Sequence, residues 1–160
     1  MALCPELNYE LAMCGGYAAV ALAAVGSSIG AGIAGQAAIA AWKRCYAQNK
    51  PAPFLLVVLA GAPLSQTIYG MILMILIQSS IKGAIVKQAA VYPVFYLLLG
   101  VLAGVGFMMS SIFQGKTAAA GSDAFGETGK GFTNYLTIAG IVETVALFVL
   151  VFGIMVLERR

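Results

Sequence analysis

The chain has 160 residues, 61% of them hydrophobic and 9% charged, with no histidine and a formal net charge of +3. So few polar groups cannot cover a soluble globule, and the missing histidine removes the commonest general base and metal ligand. The bases are scattered over connections and the C-terminal end, which excludes a nucleic-acid-binding patch.

The sequence opens on MALCPELNYE, which carries acids but no base and so does not read as a signal peptide. The first apolar run is therefore expected to stay in the mature protein. Leu11-Ala12-Met13-Cys14 has the outline of a lipoprotein box, but the bulky Met13 and the acidic leader argue against lipidation. Cys4, Cys14 and Cys45 have no metal-ligand spacing and read as small apolar fillers.

Four continuous apolar runs follow, at residues 11–42, 53–81, 92–121 and 131–157, with breaks at 43–51, 82–90 and 122–130. Each exceeds the roughly 20 residues that cross a ~30 Å hydrocarbon core as a helix. None alternates in the manner of a barrel strand. The fold class is an all-α membrane protein of four transmembrane helices. Orientation is close to balanced: Lys43, Arg44, Lys50 and Lys130 lie on one side, and Lys82, Lys87, Arg159 and Arg160 on the other. Lys116 tips the first and third connections toward the cytoplasm.

Internal repetition organises these runs. Ser27-Ser28-Ile29-Gly30 aligns with Ser110-Ser111-Ile112-Phe113 at a shift of 83 residues, and Gln66-Thr67-Ile68 aligns with Glu143-Thr144-Val145 at a shift of 77. The chain thus reads as two tandem duplicated hairpins, residues 1–90 and 91–160. At the duplicated position one copy carries a carboxylate, Glu143, and the other the uncharged Gln66.

The first and third runs are rich in small residues, including Gly26-x-x-x-Gly30 and Gly100-x-x-x-Gly104. Such stretches let helix backbones approach closely in lipid, either within one bundle or along the inside of a narrow ring. Gly30-Ala31-Gly32-Ile33-Ala34-Gly35 matches the dinucleotide fingerprint in letters only, since it has no preceding strand and the next acid is Asp123. Gly126-Glu127-Thr128-Gly129-Lys130-Gly131 lacks phosphate-loop spacing. No nucleotide site and no organic cofactor are expected.

Glu143 falls near the middle of the fourth run, whereas the other acids fall at the chain ends or in a connection. A carboxylate at membrane depth costs roughly 2.5–3.5 kcal/mol on insertion scales, so it normally persists because it handles an ion. Ser65, Gln66 and Tyr69 add a hydroxyl, an amide and a phenol within one turn of the second helix, and Gln114 adds an amide on the third. Pro63 has no N–H, which frees a carbonyl four residues back and distorts the helix there. Oxygen donors around one acid suit an alkali cation or a hydrogen-bonded protonated carboxyl. Separate helix-packing hydrogen bonds remain the plainer reading of each residue.

The stretches Pro63-Leu64-Ser65-Gln66-Thr67-Ile68-Tyr69-Gly70, Phe113-Gln114-Gly115-Lys116 and Val142-Glu143-Thr144, set on a duplicated hairpin, resemble the duplicated proteolipid (K or c) subunit of V-type and A-type rotary ATPases. The sodium-transporting members are the most similar. That resemblance implies a Na⁺ site of Ser65, Gln66, Gln114, Glu143 and the Ala62 carbonyl, with Tyr69 hydrogen-bonded to the glutamate. Ser65 stands where the best-known sodium type has threonine, and Ala62 replaces a larger apolar residue; both keep the oxygen concerned.

The resemblance further implies a non-catalytic subunit of a homo-oligomeric rotor ring. Its partners would be a membrane stator subunit that offers an arginine, central-stalk subunits and lipids, in a prokaryotic cell membrane. Each Glu143 would carry Na⁺, or alternatively H⁺, as the ring turns, while ATP is hydrolysed on other subunits. A small four-helix cation or drug antiporter is the competing transporter class, but it usually places its glutamate in the first helix among aromatics. A structural tetraspan protein would function unchanged without Glu143.

Overall fold

The computed structural model describes residues 5–159, so Cys4 and Arg160 lie outside it. Its helices are α1 (Pro5–Ala47), α2 (Leu56–Gly61), α3 (Ser65–Val86), α4 (Pro93–Thr128) and α5 (Phe132–Glu158), with a 3₁₀ turn at Ala62–Leu64 between α2 and α3. Among the described residues there is no strand. The segment α2–turn–α3 is one membrane span, Leu56–Val86, and with α1, α4 and α5 it makes four helices long and apolar enough to cross a bilayer. The chain is a multi-pass integral membrane protein.

The helices overrun most of the apolar runs read from the sequence. α1 continues through Lys43 and Arg44, and α4 continues through Asp123 and Glu127, all of which were expected in connections. Helical hydrogen bonding does not stop where hydrocarbon stops, and polar partners support the extensions. Arg44 pairs with Asp123 across α1 and α4, and the Trp42 indole donates to the Pro53 carbonyl at 2.8 Å. The second span instead begins later than expected, at Leu56, because Pro51 and Pro53 hold the preceding residues out of helical geometry. α4 ends on Gly129 and α5 starts after Gly131, both with positive φ, which only glycine adopts without strain.

α1 and α4 run parallel with their backbones in contact. Ser27 meets Ser111, 84 positions on, and Cys45 meets Gly126, 81 positions on. A Cβ on Gly100 would collide with the Gly15 carbonyl oxygen, and one on Gly115 would collide with that of Gly30. These glycines are therefore spacers for close helix approach, as small residues are in lipid-embedded bundles. Cys45 is buried here, but Cys14 lies on an exposed face of α1 and fills no core within this chain.

The interior is layered. One apolar cluster gathers Ala19 and Ala23 of α1, Leu73 and Ile77 of α3, Phe107 of α4 and Ala146 and Leu150 of α5. A second gathers Ala34 and Ala38 of α1, Leu56 and Leu59 of α2, and Ala118 and Phe125 of α4. Between them, on every span, lies a belt of buried or half-buried polar side chains: Ser27, Gln66, Ser110, Ser111, Gln114 and Glu143. Large apolar residues such as Val145, Phe148 and Phe152 cover the outside of α5.

Gly100→Ala should cost about 1–3 kcal/mol through overpacking of α1 on α4. Gly83→Ala, where a Cβ meets nothing within 4 Å, should be neutral or slightly stabilising. Thermal unfolding of both variants in detergent checks this, and equal melting temperatures would show that α1 and α4 do not touch as described.

Candidate functional site

The polar belt is built outward from Pro63. Its ring cannot donate to the carbonyl of Leu59, and the chain tightens there into the 3₁₀ turn before resuming as α3 at Ser65. The Ser65 hydroxyl donates to the Ala62 carbonyl at 3.2 Å and lies 3.3 Å from Gln66 Oε1. Gln66 is fully buried. Its Nε2 donates to Gln114 Oε1 at 2.7 Å and reaches Ser110 Oγ at 3.5 Å.

Gln114 passes the connection on to α5. Its Nε2 donates to Glu143 Oε2 at 3.0 Å and to the Ala139 carbonyl at 3.2 Å. The Tyr69 hydroxyl donates to Glu143 Oε1 at 2.5 Å, and the Tyr69 ring packs against buried Phe107 with centroids 6.5 Å apart. Both oxygens of the half-buried carboxylate thus accept hydrogen bonds, one from α3 and one from α4. Bonds to a charged acceptor contribute about 1.5–3 kcal/mol each, which offsets part of the cost of a carboxylate at this depth.

Four of the six residues singled out from the sequence are therefore joined directly: Gln66, Tyr69, Gln114 and Glu143. Ser65 is attached through Gln66, and the Ala62 carbonyl is engaged by Ser65 rather than by Glu143. Sequence reasoning overlooked two members. Ser110 donates to the Val142 carbonyl at 3.1 Å, beside Glu143, and Ser111 donates to the Pro63 carbonyl at 2.7 Å. The signal for both was helical spacing, since Phe107, Ser110, Ser111 and Gln114 share one buried face of α4.

Among the described residues no three of the His, Cys, Asp and Glu side chains gather as a metal cluster. A single carboxylate balances one unit of positive charge, which suits a proton or a monovalent hard cation better than Ca²⁺ or a transition metal. The amides of Gln66 and Gln114 can each present an oxygen or a nitrogen, so the belt can serve a carboxylate or a cation by rotating an amide.

Residues 97–156 match the family of the ATP synthase C subunit, whose members are non-catalytic, ion-translocating rotor proteins. The match spans most of α4 and nearly all of α5, and it includes Ser110, Ser111, Gln114 and Glu143. Ala62, Ser65, Gln66 and Tyr69 lie outside it. No curated protein matches the chain.

Gln114→Leu should destabilise the folded chain by about 1–3 kcal/mol, because Glu143 and Gln66 each lose a buried partner. Tyr69→Phe, which removes one bond from a half-buried group, should cost less. Unfolding of the two variants in detergent gives the ranking, and the reverse order would show that Gln114 does not hold the belt together.

Proposed function

We propose that this chain is a proteolipid of a V-type rotary ATPase, assembled as a homo-oligomeric rotor ring, and that Glu143 carries Na⁺ across the membrane during ATP-driven rotation. The observation that carries the reading is the mid-span carboxylate of α5, gripped by Tyr69 and Gln114 inside a segment matching a rotor-protein family. The chain contributes ion carriage; ATP hydrolysis belongs to other subunits.

The residues divide the work. Glu143 supplies the negative charge, and Tyr69 fixes the carboxylate's direction. Gln66, Gln114, Ser65 and the Ala62 carbonyl supply neutral oxygens once the Gln114 amide turns its oxygen toward the ion. With the ion bound the site is electrically neutral and can face lipid as the ring turns. Beside a stator arginine the carboxylate pairs with the guanidinium, releases its ion into one half-channel and reloads from the other. One carboxylate for four spans means fewer ions per turn than a ring of single hairpins of the same circumference, which suits a pump working against a steep gradient.

Proton coupling is the second reading, and one observation favours it. Gln114 turns its nitrogen rather than its oxygen to Glu143, so its amide has to rotate before it can coordinate a cation. The antiporter reading has less support, because Glu143 lies on α5 and its side-chain partners are one tyrosine and one glutamine.

A carbodiimide that attacks protonated carboxyls should modify Glu143 in the purified ring, and NaCl should slow the reaction while KCl leaves it unchanged. Labelling that follows pH and ignores sodium would replace Na⁺ by H⁺. In reconstituted complex, Glu143→Gln should abolish ATP-driven ion uptake with the ring still assembled. A variant that still pumps would remove the proposed role of this residue.

A further inference from the structure

Ser111 stands outside the set of ion ligands, one turn before Gln114 on α4, and is fully buried. Its hydroxyl lies 2.7 Å from the Pro63 carbonyl oxygen and 3.4 Å from Ser27 Oγ on α1. A hydroxyl has one proton and a carbonyl can only accept, so the Ser111 proton sits on the short bond to Pro63, and the 3.4 Å approach to Ser27 is the weaker contact. Three buried groups from α1, α4 and the 3₁₀ turn are thereby linked in line.

The turn needs such a tie. It lacks the donor that proline cannot provide, and 3₁₀ hydrogen bonds have poorer geometry than those of an α-helix. Its local restraints are the Ala62 N–H on the Val58 carbonyl and the Ser65 N–H on the Ala62 carbonyl. The Pro63 carbonyl belongs to the peptide plane between Pro63 and Leu64. Anchoring that plane from another helix fixes the path of the chain through Pro63 and Leu64 and with it the direction of the next residue on each side, Ala62 and Ser65.

We infer that Ser111 is a positioning residue for the cation side of the site: it holds the Pro63 carbonyl so that the Ala62 carbonyl and the Ser65 hydroxyl stay aimed for ion coordination. The inference rests on the sodium reading above. The carboxylate side does not pass through the turn, because Tyr69 and Gln114 reach Glu143 directly. Ser111 therefore governs how tightly sodium binds and leaves the reactivity of the sodium-free carboxyl alone. Sites of this kind tolerate displacements of only about 0.5 Å in their ligands.

The test compares wild-type and Ser111→Ala rings by carbodiimide labelling of Glu143, titrated with NaCl and, separately, with pH in sodium-free buffer. The NaCl concentration giving half-protection should rise about three- to tenfold in the variant, the equivalent of one lost hydrogen bond. The sodium-free pH profile should not move. Half-protection unchanged, or a pH profile displaced in parallel with it, would overturn the assignment and leave Ser111 a packing residue. Wild-type labelling that ignores sodium would remove the sodium reading and this inference together. Should Ser111→Ala fail to yield a ring, Ser111→Cys decides: it keeps a side chain of similar shape with a weaker donor and should shift half-protection in the same direction, and no shift would overturn the inference.

Discussion

A carboxylate in the middle of a membrane span has to be neutralised or hydrogen-bonded at every moment, and the interior of this protein is arranged around that requirement. Glu143 sits on the most apolar of the four spans, where water cannot satisfy it. Its partners must therefore come from other helices at the same depth. Tyr69 of α3 and Gln114 of α4 meet the need, and Gln66 in turn satisfies Gln114. Each added polar group needs its own partner, so one acid generates a belt that crosses the bundle.

Close packing keeps that belt shut. Glycines at 15, 30, 100 and 115 let α1 and α4 touch backbone to backbone. Apolar clusters close the belt on both sides along the helix axes, with Phe107 on one side and Leu59 on the other. The same architecture leaves a half-buried carboxylate near an apolar outer surface.

Much of this was legible in the sequence because membrane depth is written in apolar run length, and Glu143 interrupts the fourth run near its centre. Gln66, Tyr69 and Gln114 were readable as rare polar residues in apolar surroundings. Helix ends were not, since Arg44 and Asp123 stabilise helical extensions by pairing across 79 positions, a contact that no local pattern announces. Ser110 and Ser111 were visible as a repeat, yet serines so often bond within their own helix that their tertiary partners could not be read. The Ala62 carbonyl came from resemblance alone, and in the structure it faces Ser65.

The central proposal is that four spans share one sodium-carrying carboxylate, and equilibrium binding of radioactive sodium to the purified ring tests it most directly. The account predicts one sodium per chain, saturable, unaffected by potassium and absent from Glu143→Gln rings. Sodium that stays bound to those rings, or a wild-type ring that binds none, would contradict it.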